Sequence, residues 1–311
     1  MKAVLPALAR PLLETHLPDD LEVAWFTTPE EASAQVVDAD IAWVDQQRSR
    51  SAGEIAGKGE RLRWLFSIFA GLDAFPLDLL RERGVTVTNG SGLNAVTVAE
   101  YAVMGMLVAA KRFDEVVRIA DRREWTTNPP GRMELDGSST LILGYGTIGR
   151  LIGARLTAFG VVVTGVTRSG RDGTLTPDAW RDRLGEFDWL VLAAPSTGET
   201  RAMIGADELA AMKRSAWLIN IARGDMVDKA ALTAALDAGE IAGAFLDTVD
   251  PEPLPPGDPL WSARNAIHSM HLAGRSQTRM FERGAALFLE NLAAFRAGRP
   301  MRNVVDLAAG Y

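Results

Sequence analysis

The chain contains no cysteine, which excludes structural disulfides and thiolate chemistry and fits a reducing compartment. Histidine is scarce. Only His16, His268 and His271 are present, so any imidazole acid/base has three candidate positions. No block of Lys or Arg occurs, and the formal net charge is −7. A nucleic-acid surface needs a concentrated basic face, so no nucleic-acid partner is expected. No segment approaches the roughly 20 apolar residues that span a bilayer. The opening stretch MKAVLPALARPLLETHLP is interrupted by Pro6 and Pro11 and lacks the apolar core and cleavage site of an export signal. The expectations are a cytoplasmic protein with no membrane partner and no metal site.

The composition that remains, 47% hydrophobic and 23% charged, is that of an ordinary globular protein and not of a disordered one. Its 311 residues exceed one ordinary domain core, so two domains are expected. In the first 90 residues MKAVL, LEVAWF, DIAWV, LRWLFS and VTVTN read as strands separated by helical or turn stretches. That alternation predicts a parallel α/β sheet. A single apolar helix is predicted over 94–119, as a buried strut between domains. A second series starts at 139, with strands STLIL, VVVTGV, DWLVLAA, AWLINIA and IAGAFLD. The Pro-rich stretch 250–260 is too stiff for helix or strand interior. A last helix over 276–297 stops at Gly298 with Pro300 beyond; it is free to return to the first domain, making that domain discontinuous.

Leu141-Ile142-Leu143 leads directly into Gly144-Tyr145-Gly146-Thr147-Ile148-Gly149 and then a predicted helix. G-x-G-x-x-G alone is weak, but between a strand and a helix it is a dinucleotide-binding signal. The glycines permit a tight turn, close approach of the pyrophosphate, and close helix–strand packing. The amides of residues 145–148 are expected to face the anion. The following strand should end in an acid if the ribose 2′-OH of NAD is recognised. Here Val166 or Thr167 falls at that position, followed by Arg168, Ser169 and Arg171. An arginine with neighbouring hydroxyls suits a 2′-phosphate, which favours NADP over NAD. A solvated Arg168, or one stacked on adenine, is the other reading.

Together with these features, AGLD at 70, NGSGLNAVTVAE at 89, LAAPSTGET at 192, LINIARGDMVD at 218, FLDTVDPEPLP at 245 and NAIHSMHLAG at 265 resemble, in order and spacing, the D-isomer-specific 2-hydroxyacid dehydrogenase family. The resemblance covers nearly the whole chain. It implies a Rossmann dinucleotide-binding domain over 94–278 and a discontinuous flavodoxin-like substrate domain over 1–93 and 279–311, both with parallel sheets. It implies hydride exchange between NAD(P)H and a small 2-keto/2-hydroxy acid of the glyoxylate or hydroxypyruvate type, with closure of an interdomain cleft to exclude water, and a homodimer through the long helix. Arg223 takes the place of the substrate-binding arginine, Glu252 of the carboxylate that hydrogen-bonds a histidine, and His271 of the proton shuttle. Asp247 falls at the nicotinamide end of the cofactor and Pro195 in a loop lining it. Ser196 and Thr197 beside it read equally as turn formers. Phe69-Ala70-Gly71-Leu72-Asp73 resembles the loop of backbone amides that grips the substrate carboxylate, with Phe69 either facing the substrate or buried in the core. His268 reads as structural. One departure is Met270, where the family usually has proline, which puts the shape of the His271 loop in question. The alternative on the same scaffold is a cofactor-sensing, co-repressor-like interaction protein.

Overall fold

The computed structural model describes residues 1–45, 49–72 and 74–308; Asp73 lies outside them. The chain forms two compact units, Met1–Asn94 with Gln277–Tyr311, and Ala95–Ser276.

The first unit is built on five short strands, β1 Lys2–Pro6, β2 Glu22–Phe26, β3 Ile41–Trp43, β4 Trp64–Phe66 and β5 Thr86–Thr88. All pair in parallel in the order β2-β1-β3-β4-β5. This is the 2-1-3-4-5 order of flavodoxin-like sheets, with its switch point between β1 and β3. Both faces of β3 and β4 are buried, which is why these strands read as continuous apolar runs. One face packs on the C-terminal helix Met280–Arg296 through an aromatic cluster. Phe288 stacks on Trp64 at 5.0 Å between centroids, and Trp43 meets Phe66 edge-on at 4.8 Å.

The second unit carries β6 Ser139–Leu143, β7 Val162–Val166, β8 Trp189–Leu192, β9 Trp217–Asn220, β10 Gly243–Leu246 and β11 Ala266–His268, parallel in the order β11-β10-β9-β8-β6-β7. Beyond β7, Leu175 forms a single parallel bridge with Val166. Counting this bridge as a vestigial third strand gives the 3-2-1-4-5-6 order of a Rossmann sheet, with β11 added as a seventh strand beside the sixth. The order reverses between β6 and β8, and that is where the glycine loop emerges.

The single helix predicted over 94–119 is two, Ala95–Lys111 and Phe113–Asp121. Arg112 breaks it with φ of 48°. Its guanidinium bonds Asn265 Oδ1 at 2.6 Å and the carboxylates of Asp114 and Glu115. Those contacts stabilise a left-handed residue that costs about 1–2 kcal/mol in isolation. Within its own unit the first helix packs on the helix Thr147–Ala158 and on β9 and β10. Among the described residues no helix is long and apolar enough to cross a membrane.

Candidate active site

The glycine loop follows β6 directly. Gly144 has φ of +96°, and a Cβ there would lie 2.4 Å from Ala194 N, so both its conformation and its contact with the chain after β8 require glycine. A Cβ on Gly149 would meet Gly144 O at 2.3 Å, whereas Gly146 faces open space. Gly146 is also the N-cap of the helix Thr147–Ala158 and has no side chain with which to cap it. The amides of Gly146, Thr147 and Ile148 consequently have no acceptor among the described residues. Unpaired N–H groups at a positive helix end, bordered by empty space, fit a dinucleotide pyrophosphate. The expectation that Tyr145 adds its amide is corrected. That N–H is spent on Val166 O at 2.8 Å, and the ring lies against Gly153 and Gly165, where no side chain competes for the space.

At the end of β7, Thr167 accepts from Gly170 N and shares a 2.7 Å hydrogen bond with Thr174. These bonds fix a turn that exposes Arg168, Ser169 and Arg171. The same turn carries Asp172, ion-paired with Arg150 at 3.1 Å. The charge balance of the turn is therefore basic. Pro195 is exposed after β8. Ser196 beside it is more than a turn former, because its hydroxyl donates to Asp225 Oδ2 at 2.8 Å and ties this loop to the Arg223 loop.

The Arg223 loop leaves β9 at Asn220, a buried side chain that sequence reasoning passed over. Its Oδ1 accepts from Ala222 N at 3.0 Å and its Nδ2 donates to Arg223 O at 2.9 Å. A polar residue ending an otherwise apolar strand, LIN, was the available signal. Gly224 then lets this loop touch the one after β10; a Cβ there would lie 2.0 Å from the Val249 carbonyl carbon. The contact brings the guanidinium of Arg223 within electrostatic reach of Glu252.

Glu252 Oε1 accepts from Val249 N at 3.2 Å, and Oε2 lies 2.7 Å from His271 Nδ1. Partial burial pushes the Glu252 carboxyl up. The hydrogen bond and charge of His271, the Val249 amide and the Arg223 charge together outweigh burial and hold it below the usual carboxylate range. His268 takes no part. Its Nε2 bonds Leu260 O at 3.0 Å, its ring packs on Trp261, and burial lowers its pKa. His16 is exposed in the first unit, bonded to Thr15.

The loop carrying His271 is folded around Asp247, which is 2% exposed. Asp247 O accepts from His271 N at 2.5 Å. Asp247 Oδ1 accepts from Ser269 Oγ at 2.7 Å, Leu272 N at 2.9 Å and Ala273 N at 3.2 Å. Burial raises the Asp247 carboxyl above its ordinary range despite these donors and the nearby His271 charge. Wrapping four donors around one residue demands a tight turn, and Met270 and His271 are both left-handed, with φ of 56° and 54°. The question raised by Met270 is answered here, because proline is fixed near −65° and cannot adopt this turn.

In the first unit, the segment after β4 presents the Ala70 and Gly71 amides without acceptors among the described residues. The adjacent carbonyls are tied: Phe69 O accepts from Gly90 N at 3.0 Å and Ala70 O from Asn89 Nδ2 at 2.8 Å. Phe69 is only partly buried, packed against the aromatic cluster. No group of three or more His or acidic side chains among the described residues could hold a metal.

Known proteins resemble this chain over most of its length. The family described as D-isomer specific 2-hydroxyacid dehydrogenase, NAD binding domain, matches residues 103–273. A glycerate dehydrogenase of Methylorubrum extorquens is 33% identical over 97% of this chain and 96% of its own length. A glyoxylate reductase of Korarchaeum cryptofilum is 34% identical over 81% of this chain and 79% of its own. The crystal structure of an NADPH-dependent glyoxylate/hydroxypyruvate reductase of Sinorhizobium meliloti, in complex with NADP and malonate, superposes with a TM-score of 0.80. It is 25% identical and covers 99% of this chain and 97% of that one.

The left-handed turn makes a prediction about residue 270. Met270→Gly relieves a strained φ and is expected to raise stability by about 1 kcal/mol. Met270→Pro, although it restores the usual residue, is expected to cost about 3 kcal/mol and to abolish the downfield NMR signal of the His271 Nδ1 proton. A proline variant as stable as the parent with that signal intact would refute the assigned turn.

Proposed function

We propose that this chain, which belongs to the D-isomer-specific 2-hydroxyacid dehydrogenase family, reduces small 2-keto acids of the glyoxylate and hydroxypyruvate type, with NADPH preferred to NADH. Membership makes it a nicotinamide-dependent oxidoreductase. The observation that carries it is the 2.7 Å Glu252–His271 pair, beside a cationic Arg223, at the carboxyl ends of adjacent strands. The same edge of the sheet carries the glycine loop, and open α/β sheets bind ligands at that edge.

When bound, a reduced nicotinamide would supply the hydride for the substrate carbonyl carbon. Arg223 orients the keto acid and draws charge onto the carbonyl oxygen, where the negative charge develops. His271 Nδ1 is committed to Glu252, so Nε2 is the nitrogen that delivers the proton to the nascent alkoxide. Glu252 holds the ring through Nδ1, which leaves Nε2 to give the proton in reduction and take it back in oxidation. The amides of Ala70 and Gly71 receive the substrate carboxylate, and Phe69 limits the adjoining side chain. Gly146, Thr147 and Ile148 hold the pyrophosphate, Pro195 lines the cofactor, and Asp247 stands at its nicotinamide end. Arg168, Ser169 and Arg171 receive the 2′-phosphate, in keeping with the NADPH-dependent S. meliloti relative; Thr167, expected to join them, instead spends its hydroxyl on Thr174 and fixes the turn that presents them.

A homodimer is part of the same reading. The helices Ala95–Lys111 and Phe113–Asp121 expose Met104, Phe113 and Val117, and Val103, Leu107 and Phe159 help line an apolar groove of about 470 Å³ beside them.

Purified protein is expected to oxidise NADPH in the presence of glyoxylate or hydroxypyruvate. His271→Asn is expected to lower kcat about 10²–10⁴-fold with dinucleotide affinity retained. Dinucleotide binding without turnover of any short 2-keto acid would instead indicate a cofactor-sensing protein. For the cofactor, Arg168→Ala is expected to weaken NADPH about tenfold more than NADH; an equal effect on both would remove the 2′-phosphate assignment.

A further inference from the structure

Asp45 is a buried ionisable group that the chemistry above leaves unused. It lies two residues beyond β3, at the carboxyl edge of the flavodoxin-like sheet and next to its switch point. That is the edge where such sheets bind ligands. Its side chain is fully buried. Oδ2 accepts from Ser67 Oγ at 2.5 Å and from Ile68 N at 2.9 Å, while Oδ1 has no hydrogen-bond partner among the described residues. Burial pushes this carboxyl up to about 6, against the bonds from Ser67, Ile68 and Phe69. A buried carboxylate with an orphan oxygen costs stability, so packing gives no reason for an acid here.

The acid does fix the start of the segment 67–71. Ser67 Oγ, held by Asp45, accepts from Phe69 N at 3.1 Å. Together Asp45 and Ser67 consume the amides of Ile68 and Phe69, and Asn89 and Gly90 consume the carbonyls of Ala70 and Phe69. Among the described residues, the amides of the segment left over are those of Ala70 and Gly71.

We propose that Asp45 is a positioning residue for substrate: from beneath the segment it aims the Ala70 and Gly71 amides at the keto-acid carboxylate. This rests on the reading of that segment as the carboxylate grip. Asp45 touches no reacting atom, and its effect is confined to binding of the acid. Removing it slackens the grip without altering the Glu252–His271 pair or the dinucleotide loop.

The test separates KM from kcat. Asp45→Ala is expected to raise KM for glyoxylate about tenfold with kcat within about threefold of the parent, because the hydrogen bonds lost orient ground state and transition state alike. NADPH affinity stays unchanged. Asp45→Asn keeps an acceptor oxygen for Ser67 and Ile68 and is expected to recover most of the loss. Ser67→Ala, a milder change that serves if the alanine variant does not fold, is expected to raise KM about threefold. Titration of the NADPH-bound parent with oxamate shows separately whether the carboxylate grip exists. If the parent neither reduces nor binds these acids, the functional reading fails. If it does, and Asp45→Ala or Ser67→Ala leaves KM within about twofold or weakens NADPH equally, the role of Asp45 is overturned. Asparagine behaving no better than alanine would overturn it too.

Discussion

Asp247 is the residue on which the rest of the site depends. Its backbone carbonyl and its buried carboxylate together accept from His271 N, Ser269 Oγ, Leu272 N and Ala273 N. Without that hub nothing would hold Met270 and His271 in two consecutive left-handed conformations. The His271 ring could not then reach Glu252 at 2.7 Å. Burial works against the charge on Asp247 and raises its pKa, and three donors, Ser269 Oγ, Leu272 N and Ala273 N, oppose that effect. The Glu252–His271 pair is therefore a consequence of a carboxylate one strand away.

The same device recurs in the first unit. Asp45 lies under a loop at the carboxyl edge of its sheet and consumes donors from Ser67 and Ile68. In both units a buried acid just past a strand end sets the backbone of the loop after a neighbouring strand. In the second unit the product is a side-chain pair, and in the first it is two amides without acceptors among the described residues. Parallel sheets suit this arrangement, since all their strand ends deliver loops to one edge.

Much of the fold was legible because parallel strands buried on both faces declare themselves as apolar runs. DIAWV, LRWLFS, STLIL and AWLINIA all yielded strands. The glycine loop was legible because its geometry needs glycine at fixed offsets, and Gly144 and Gly149 both stand where a Cβ would collide. The illegible features depend on contacts distant in sequence. Arg112 looks like a helix former, and only Asn265, 153 residues away, shows why the helix breaks there. The commitment of the Tyr145 amide to Val166 cannot be read from a glycine pattern. The third strand of the Rossmann order shrinks to one bridge at Leu175, too short to leave a periodicity. The substitution at 270 was visible in sequence, but its meaning required the backbone angle. Asn220 was marked only by its place at the end of an apolar strand, and Asp45, beyond the end of its strand, had no pattern to mark it.

The central claim is that hydride passes to the α-carbon of a keto acid while the Asp247-anchored loop supplies the proton. The most direct measurement follows deuterium from reduced dinucleotide labelled at nicotinamide C4 into the product formed from hydroxypyruvate. The account predicts glycerate with deuterium at C2 and the D configuration. Oxidation of the dinucleotide without deuterium at C2, or label appearing in the L isomer, would contradict it.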